Sequence, residues 1–159
     1  MGVNTNKRLP KSQKVMLLGI KQLQSCLGLD QLALGGLWNQ EHWIRELTTP
    51  NRLCIGIMQS QNLIAMACGW LVTNELQITL VAVHPDHRNQ GLGRKILLSI
   101  LNEAWRNGVT LATLEVADTN QAAKSLYKSC GFKTAGCRRG LYVDGRDALI
   151  QWKNLTNKD

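Results

Sequence analysis

The chain has 159 residues, of which 44% are hydrophobic and 19% are charged, and these proportions are ordinary for a globular protein. This length suffices for one domain, and the composition excludes disordered and fibrous proteins. Nineteen Lys and Arg residues against eleven Asp and Glu residues give a net charge of +8. Such an excess indicates an anionic partner: nucleic acid, anionic lipid or a phosphorylated small molecule.

The cysteines and the apolar runs restrict the compartment. Five cysteines make an odd number, with no C-x-x-C pair and no histidine at zinc-ligand spacing, so we predict neither a disulfide framework nor a bound metal. The longest uncharged apolar run, residues 63–72, is about half the length that spans a bilayer. We therefore predict a cytoplasmic protein without a membrane span or signal peptide.

The N-terminal third begins with a basic segment. Residues 1–14 contain four Lys or Arg residues and no acid, which predicts a mobile leader, with a nucleic-acid-binding arm as the alternative. A first strand is predicted over residues 15–23 and a short helix over residues 29–37. Asn39 is predicted to cap a second helix, which Thr49-Pro50 ends.

From residue 52 the apolar side chains alternate, which predicts a meander of antiparallel strands over residues 52–59, 63–73 and 75–83. A loop then leads into a long amphipathic helix that ends at Gly108. A strand, a helix and two short strands follow, over residues 110–116, 120–129, 132–137 and 147–153. This order predicts one domain over residues 15–153, of the α/β (α+β) class, with a mixed sheet covered by helices on both faces. Residues 154–159 are predicted to be a polar tail.

The strongest local signal is the segment Arg88-Asn89-Gln90-Gly91-Leu92-Gly93-Arg94, between a predicted strand and a predicted helix. Its two glycines let the backbone approach a ligand, and the first helical turn offers unpaired N–H groups and the positive end of the helix dipole. This arrangement suits phosphate groups, although the segment lacks the G-K-[ST] ending of a P-loop and the third glycine of a dinucleotide fingerprint. A glycine-rich connection with surface arginines is the alternative.

Two motifs resemble those of one enzyme family. Residues 81–93 are similar to the acyl-CoA loop of the GNAT superfamily of N-acetyltransferases, R/Q-x-x-G-x-G/A after a strand. Residues 120–127 with Gly131-Phe132 resemble the downstream N-x-x-A-x-x-L-Y-x-x-x-G-F element of that superfamily. The segments 114–116 and 138–148 resemble those of the RimI-type enzymes, which acetylate the N-terminal alanine of small-subunit ribosomal protein 18. Leu141 stands where these enzymes usually have a tyrosine.

The resemblance implies a GNAT fold that uses acetyl-CoA as cosubstrate, acts as a monomer and transfers acetyl by direct attack in a ternary complex. It implies that the acceptor is a protein N-terminus, the N-terminal alanine of small-subunit ribosomal protein 18, with another protein N-terminus or a small-molecule amine as the alternative. A nucleic-acid-binding protein with a degenerate fold is the alternative from another class. The residues implied to bind the cosubstrate are Val81, Ala82, Val83, Arg88, Asn89, Gln90, Gly91, Leu92, Gly93, Arg94 and Asn120.

Three further residues receive roles in the reaction. Glu115 interrupts an apolar strand, and in a sheet covered on both faces we expect it to be partly desolvated, as suits a general base. The alternative is an edge-strand glutamate that faces solvent or pairs with Lys or Arg. Tyr127 lies two helical turns after Asn120 and is the candidate acid for the leaving thiolate, with a packed aromatic as the alternative. Tyr142 is the candidate contact for the acceptor, with a plain loop tyrosine as the alternative.

Overall fold

A computed structural model describes residues 12–156. Its strands are β1 (Gln13–Leu17), β2 (Arg52–Gln59), β3 (Asn62–Val72), β4 (Glu75–Val83), β5 (Leu111–Ala117), β6 (Lys133–Arg138) and β7 (Ala148–Asn154). Its α-helices are α1 (Leu23–Leu34), α2 (Gln40–Thr48), α3 (Leu92–Arg106) and α4 (Gln121–Ser129). The strands form one sheet in the order β1-β2-β3-β4-β5-β7-β6. The predicted mixed sheet with flanking helices is confirmed.

The middle of the sheet is interrupted where β4 meets β5. These two strands are parallel and pair only between Glu75–Gln77 and Leu111–Thr113, whereas the other neighbouring strands pair antiparallel. The register between β3 and β4 also shifts at Cys68/Gly69, which leaves Thr79 as an extra residue in β4 and bends that strand. Beyond Gln77, β4 therefore has one edge without a strand partner.

Two apolar cores lie on opposite faces of the sheet. On one face α3 buries Ile96, Leu97 and Ile100 against the strands, and α4 packs beside it. On the other face α1 and α2 bury a smaller cluster that includes Cys26 and Trp43. The residues of this second cluster come from the first four strands and from α1, α2 and their connections, because α1 and α2 pack on β2, β3 and β4.

The predicted elements agree with the structure best after residue 38. Asn39 caps α2, and its Oδ1 accepts the N–H of His42 at 2.8 Å. The boundaries predicted before it were wrong: β1 ends at Leu17, and α1 runs from Leu23 to Leu34 rather than over residues 29–37. The helix stops early because Gly35 adopts the left-handed conformation at φ +71°, which commonly ends helices.

The first and last strands extend into the segments predicted to be leader and tail. Gln13 and Lys14, assigned to the leader, belong to β1, and Asn154, assigned to the tail, ends β7. The remaining leader residues 1–11 and tail residues 157–159 lie outside the described residues. Within residues 12–156, no helix is long and apolar enough to cross a bilayer.

The turn between α1 and α2 is organised by a buried carboxylate. Asp30 is only 1% exposed, and its oxygens accept the N–H of Leu37 at 2.8 Å, the N–H of Trp38 at 3.0 Å and the indole N–H of Trp43 at 2.8 Å. Its own backbone carbonyl accepts the N–H of Gly36 at 3.3 Å. One aspartate therefore fixes the course of the chain from the end of α1 to the start of α2.

We expect Asp30→Ala to lower the free energy of unfolding by about 3 kcal/mol, because three N–H donors lose their acceptor, one of them fully buried. Urea denaturation measures this change. Glu41→Ala removes an exposed acid from α2 and should lower the free energy of unfolding by less than about 1 kcal/mol. Equal losses in the two variants would contradict the role of Asp30.

Candidate active site

A cleft of about 380 Å³ opens beside the unpaired part of β4. It lies between the end of β4, the loop before α3 and one side of α4, with the end of α1 as a further wall. The residues that line it are Ala33, Leu34, Val81, Ala82, Val83, His87, Arg88, Asn89, Gly91, Leu92, Gly93, Asn120, Ala122, Ala123, Leu126 and Tyr127. Nine of the eleven residues predicted to bind the cosubstrate are among them.

The glycine-rich loop leaves backbone donors beside this cleft. Gly91 adopts φ +77°, and a Cβ built on it would meet nothing within 4 Å. The first helical bond of α3 runs from the N–H of Lys95 to the carbonyl of Gly91 at 3.0 Å, so the preceding N–H groups of the helix have no helical acceptor. The loop therefore combines open space, unpaired donors and the positive end of a helix dipole, as an anion site requires.

The side chains of the loop divide into two groups. Arg88 lines the cleft, and its Nη2 donates to the carbonyl of Ala33 on α1 at 3.4 Å. Arg94 points elsewhere, since its Nη1 donates to the carbonyl of Ser129 at 2.7 Å. Gln90 and Arg94 are thus the two predicted cosubstrate residues outside the cleft lining. Arg94 instead satisfies a carbonyl at the C-terminal end of α4, where a cation is favourable.

Tyr127 on α4 lines the cleft and packs against the ring of Phe132, with 5.9 Å between ring centroids. Burial, with smaller contributions from Tyr142 and Cys130, raises the pKa of Tyr127 from 10 to about 12. The phenol therefore keeps its proton at neutral pH and is a hydrogen-bond and proton donor. Asn120 also lines the cleft and immediately precedes α4. Its Oδ1 accepts the N–H of Ala123 at 3.1 Å, which caps the helix.

Tyr142 lies in the connection between β6 and β7. Its N–H donates to the carbonyl of Arg146 at 3.2 Å, and the guanidinium of Arg146 lies 5.1 Å from its ring centroid. The pKa of Tyr142 is raised, first by burial and then by the charge of Glu115, while Arg146 opposes the rise. Tyr142 thus interacts electrostatically with both Glu115 and Tyr127.

Glu115 does not have the surroundings that the sequence predicted. Its side chain is 37% exposed, and its Oε1 lies 3.3 Å from Nε of Arg138. Leu114 and Val116 face the core under α3, whereas Glu115 lies on the opposite face of the sheet. There α1 and α2 pack on β2 to β4, so the covered face predicted around Glu115 is left partly open. The charge of Glu115 nevertheless contributes to the raised pKa of Tyr142.

The comparison with known families agrees with this geometry. Residues 21–132, more than half of the chain, match the Acetyltransferase (GNAT) family. The chain belongs to the GNAT family of acetyltransferases. Relatives of this acetyltransferase include the N-alpha-acetyltransferase RimI of Mycobacterium tuberculosis, 35% identical over 132 residues, 79% of this chain and 82% of that protein. The [ribosomal protein bS18]-alanine N-acetyltransferase of Escherichia coli K12 is 40% identical over 97 residues, 59% of this chain and 66% of that protein.

A solved structure shares the fold of this acetyltransferase. The crystal structure of the ribosomal-protein-S18-alanine N-acetyltransferase from Escherichia coli superposes with a TM-score of 0.85 at 29% identity, over 93% of this chain and 97% of that chain. Within residues 12–156, no group of three His, Cys, Asp or Glu side chains is placed to hold a metal ion.

Sequence reasoning assigned no role to several residues of this region, among them two cleft-lining residues of α1 and Arg138. Ala33 and Leu34 form a wall of the cleft, but they come from α1, and only the tertiary fold brings that helix near the loop. Arg138 pairs with Glu115 across β7. The sequence signal for this pair would have been the placement of both residues on one face of the sheet, which requires the strand order and register.

Proposed function

We propose that this acetyltransferase moves the acetyl group of acetyl-CoA to the α-amino group of a protein N-terminus, and that its acceptor is the N-terminal alanine of ribosomal protein bS18. One observation carries the proposal: the pairing of β4 with β5 stops at Gln77, and the unpaired edge of β4 lies in the cleft with the glycine-rich N-terminus of α3 and the protonated phenol of Tyr127. The acceptor is supported by the relatives named for that reaction.

The cleft suits the cosubstrate in shape and charge. The free edge of β4 at Val81, Ala82 and Val83 offers backbone groups to an extended chain with amides, such as the pantetheine arm. The N–H groups at the start of α3 and the side chain of Arg88 suit its diphosphate. Residues 84–139 carry nine Lys or Arg residues and four acids, a local excess of +5, and Arg88 is the member of these nine that lines the cleft.

The chemistry needs a neutral amine and a stable leaving group. An α-amine with a pKa near 8 is roughly one-tenth neutral at pH 7, whereas a lysine is neutral only to a few parts in ten thousand, so an α-amine is the easier acceptor. In the proposed reaction the amine nitrogen forms a bond to the thioester carbon and the carbon–sulfur bond breaks, within a ternary complex. Glu115 receives the amine proton, directly or through water, and Tyr127 donates a proton to the thiolate sulfur.

Three peptides test this proposal. Each is incubated with the enzyme and acetyl-CoA, and acetylation is located by mass spectrometry: one begins with a free alanine, one has that alanine blocked, and one is blocked but contains an internal lysine. The proposal expects acetylation of the free alanine only. Transfer to the lysine, or to a small-molecule amine in preference to all three peptides, would contradict it. We also propose that the enzyme acts in the cytoplasm as a monomer, without a metal and without stable nucleic-acid binding.

Gly93 provides a test of the cosubstrate site. A Cβ on Gly93 would lie 3.2 Å from Cδ2 of Leu126 and 3.9 Å from Cγ2 of Val83, and both side chains belong to cleft-lining residues. We expect Gly93→Ala to displace Leu126 and to raise the KM for acetyl-CoA about tenfold. Gly28→Ala is the control, because a Cβ on this α1 glycine meets nothing within 4 Å. An unchanged KM in the Gly93 variant would contradict the assignment of the cleft.

A further inference from the structure

The pair of Glu115 and Arg138 is formed across an intervening strand. The strands lie in the order β5-β7-β6. Ala148 of β7 is the partner of both Ala117 on β5 and Arg138 on β6, so these residues share one face of the sheet. Glu115 precedes Ala117 by two residues and therefore lies on the same face. From this place the arginine reaches over β7, and its Nε lies 3.3 Å from Oε1 of Glu115.

The pair contributes little to folding. The side chains of Arg138 and Glu115 are 60% and 37% exposed, and ion pairs with such exposure stabilise proteins by about 0–1 kcal/mol. A glutamate side chain on an open face has several rotamers to choose from, and holding one of them costs entropy. A group that exchanges a proton with a substrate must lie within hydrogen-bond reach of it. An ion pair that restricts these rotamers would act on the orientation of the carboxylate.

We propose that Arg138 is a positioning residue that holds the Glu115 carboxylate towards the acceptor amine. This inference rests on the proposed function. The guanidinium engages Oε1, which leaves Oε2 for the amine or for an intervening water. Arg138 also carries a positive charge, which Glu115 balances, so the α-ammonium of an approaching acceptor meets no net positive charge from the pair.

The other arginines of this region serve as references. Arg146 is committed elsewhere: its Nε lies 2.6 Å from Oδ2 of Asp144, and its Nη1 donates to Thr119 at 3.4 Å. Arg139 is the exposed neighbour of Arg138 and has the same charge. Arg139→Gln therefore removes an equal charge at the end of β6 without removing a partner of the Glu115 carboxylate, and it is the matched control.

The test is a double-mutant cycle on acetylation of the alanine peptide. We expect Arg138→Gln to lower kcat about tenfold, to leave the KM for acetyl-CoA unchanged, and to leave the unfolding midpoint in urea unchanged. Arg138→Lys should recover part of the lost kcat, because it keeps the charge but not the planar donor group. In the background of Glu115→Gln, the same Arg138→Gln change should cost nothing further, since there is no carboxylate left to orient.

Four results would overturn the inference about Arg138. They are an equal loss of kcat in Arg139→Gln, a full tenfold loss in the background of Glu115→Gln, no recovery in Arg138→Lys, and a loss of activity that follows a lowered unfolding midpoint. Each of these leaves the proposed function intact, because the unmodified enzyme still acetylates the peptide. Absence of turnover by the unmodified enzyme would instead overturn the proposed function, and this inference with it.

Discussion

Glu115→Gln is expected to lower the kcat for acetylation of an alanine peptide by at least about a hundredfold, the usual contribution of a general base. The amide has nearly the shape of the carboxylate but does not accept a proton at neutral pH. Because Glu115 is not among the cleft-lining residues, the KM for acetyl-CoA should stay within about twofold of that of the unmodified enzyme. Steady-state kinetics with each substrate varied in turn measures both constants.

Glu103 supplies a matched control for this substitution. It is also a glutamate in an ion pair with an arginine, Arg106, at 3.6 Å, but it lies on α3 and does not line the cleft. Glu103→Gln should leave kcat unchanged. If Glu115→Gln retained the activity of the Glu103 variant, Glu115 would be no more than a surface ion-pair partner, the alternative that its residue type and exposure allow.

The parts of the site that come from contiguous sequence were predictable. The strand over residues 75–83, the loop after it and the following helix were predicted with almost the observed boundaries, because alternation, two glycines and helical periodicity are local signals. The cleft also depends on pairing. The end of β4 is free because its contact with β5 stops at Gln77 and Thr113, and no local pattern specifies where a parallel ladder stops.

The exposure of Glu115 shows a second limit of sequence reasoning. The sequence predicts a strand in which Leu114 and Val116 point away from Glu115, and in the structure these two residues are buried while Glu115 is not. Whether the other face is covered depends on where α1 and α2 pack, and they pack on β2, β3 and β4. The length and position of α1 are in turn fixed by the left-handed glycine at its end and by the hydrogen bonds of Asp30. When the predicted boundaries of α1 are wrong by several residues, the sequence cannot predict which strands the helix covers.

Tyr127→Phe is expected to lower kcat by about tenfold to a hundredfold, because the thiolate loses its proton donor while the ring keeps its packing against Phe132. The KM for acetyl-CoA should change little, since only one oxygen is removed from the cleft wall. Burial raises the pKa of Tyr127 to about 12, so the phenol stays protonated up to about pH 11. The rate of the unmodified enzyme should therefore show no decline due to Tyr127 between pH 7 and about pH 10.

The raised pKa of Tyr127 also predicts a difference in stability between Tyr127→Phe and the unmodified enzyme at high pH. The pKa of Tyr127 rises from 10 to about 12 on folding, so the protonated phenol favours the folded state fully below pH 10, and this contribution is lost as the pH rises through 12. At pH 11 the loss is about 1.4 kcal/mol. Phenylalanine has no such proton. Between pH 9 and pH 11 the free energy of unfolding of Tyr127→Phe should therefore fall by about 1.4 kcal/mol less than that of the unmodified enzyme. Urea denaturation at the two pH values measures this difference. An equal fall in both proteins, together with an unchanged kcat, would show that Tyr127 is an exposed phenol without a role in the reaction.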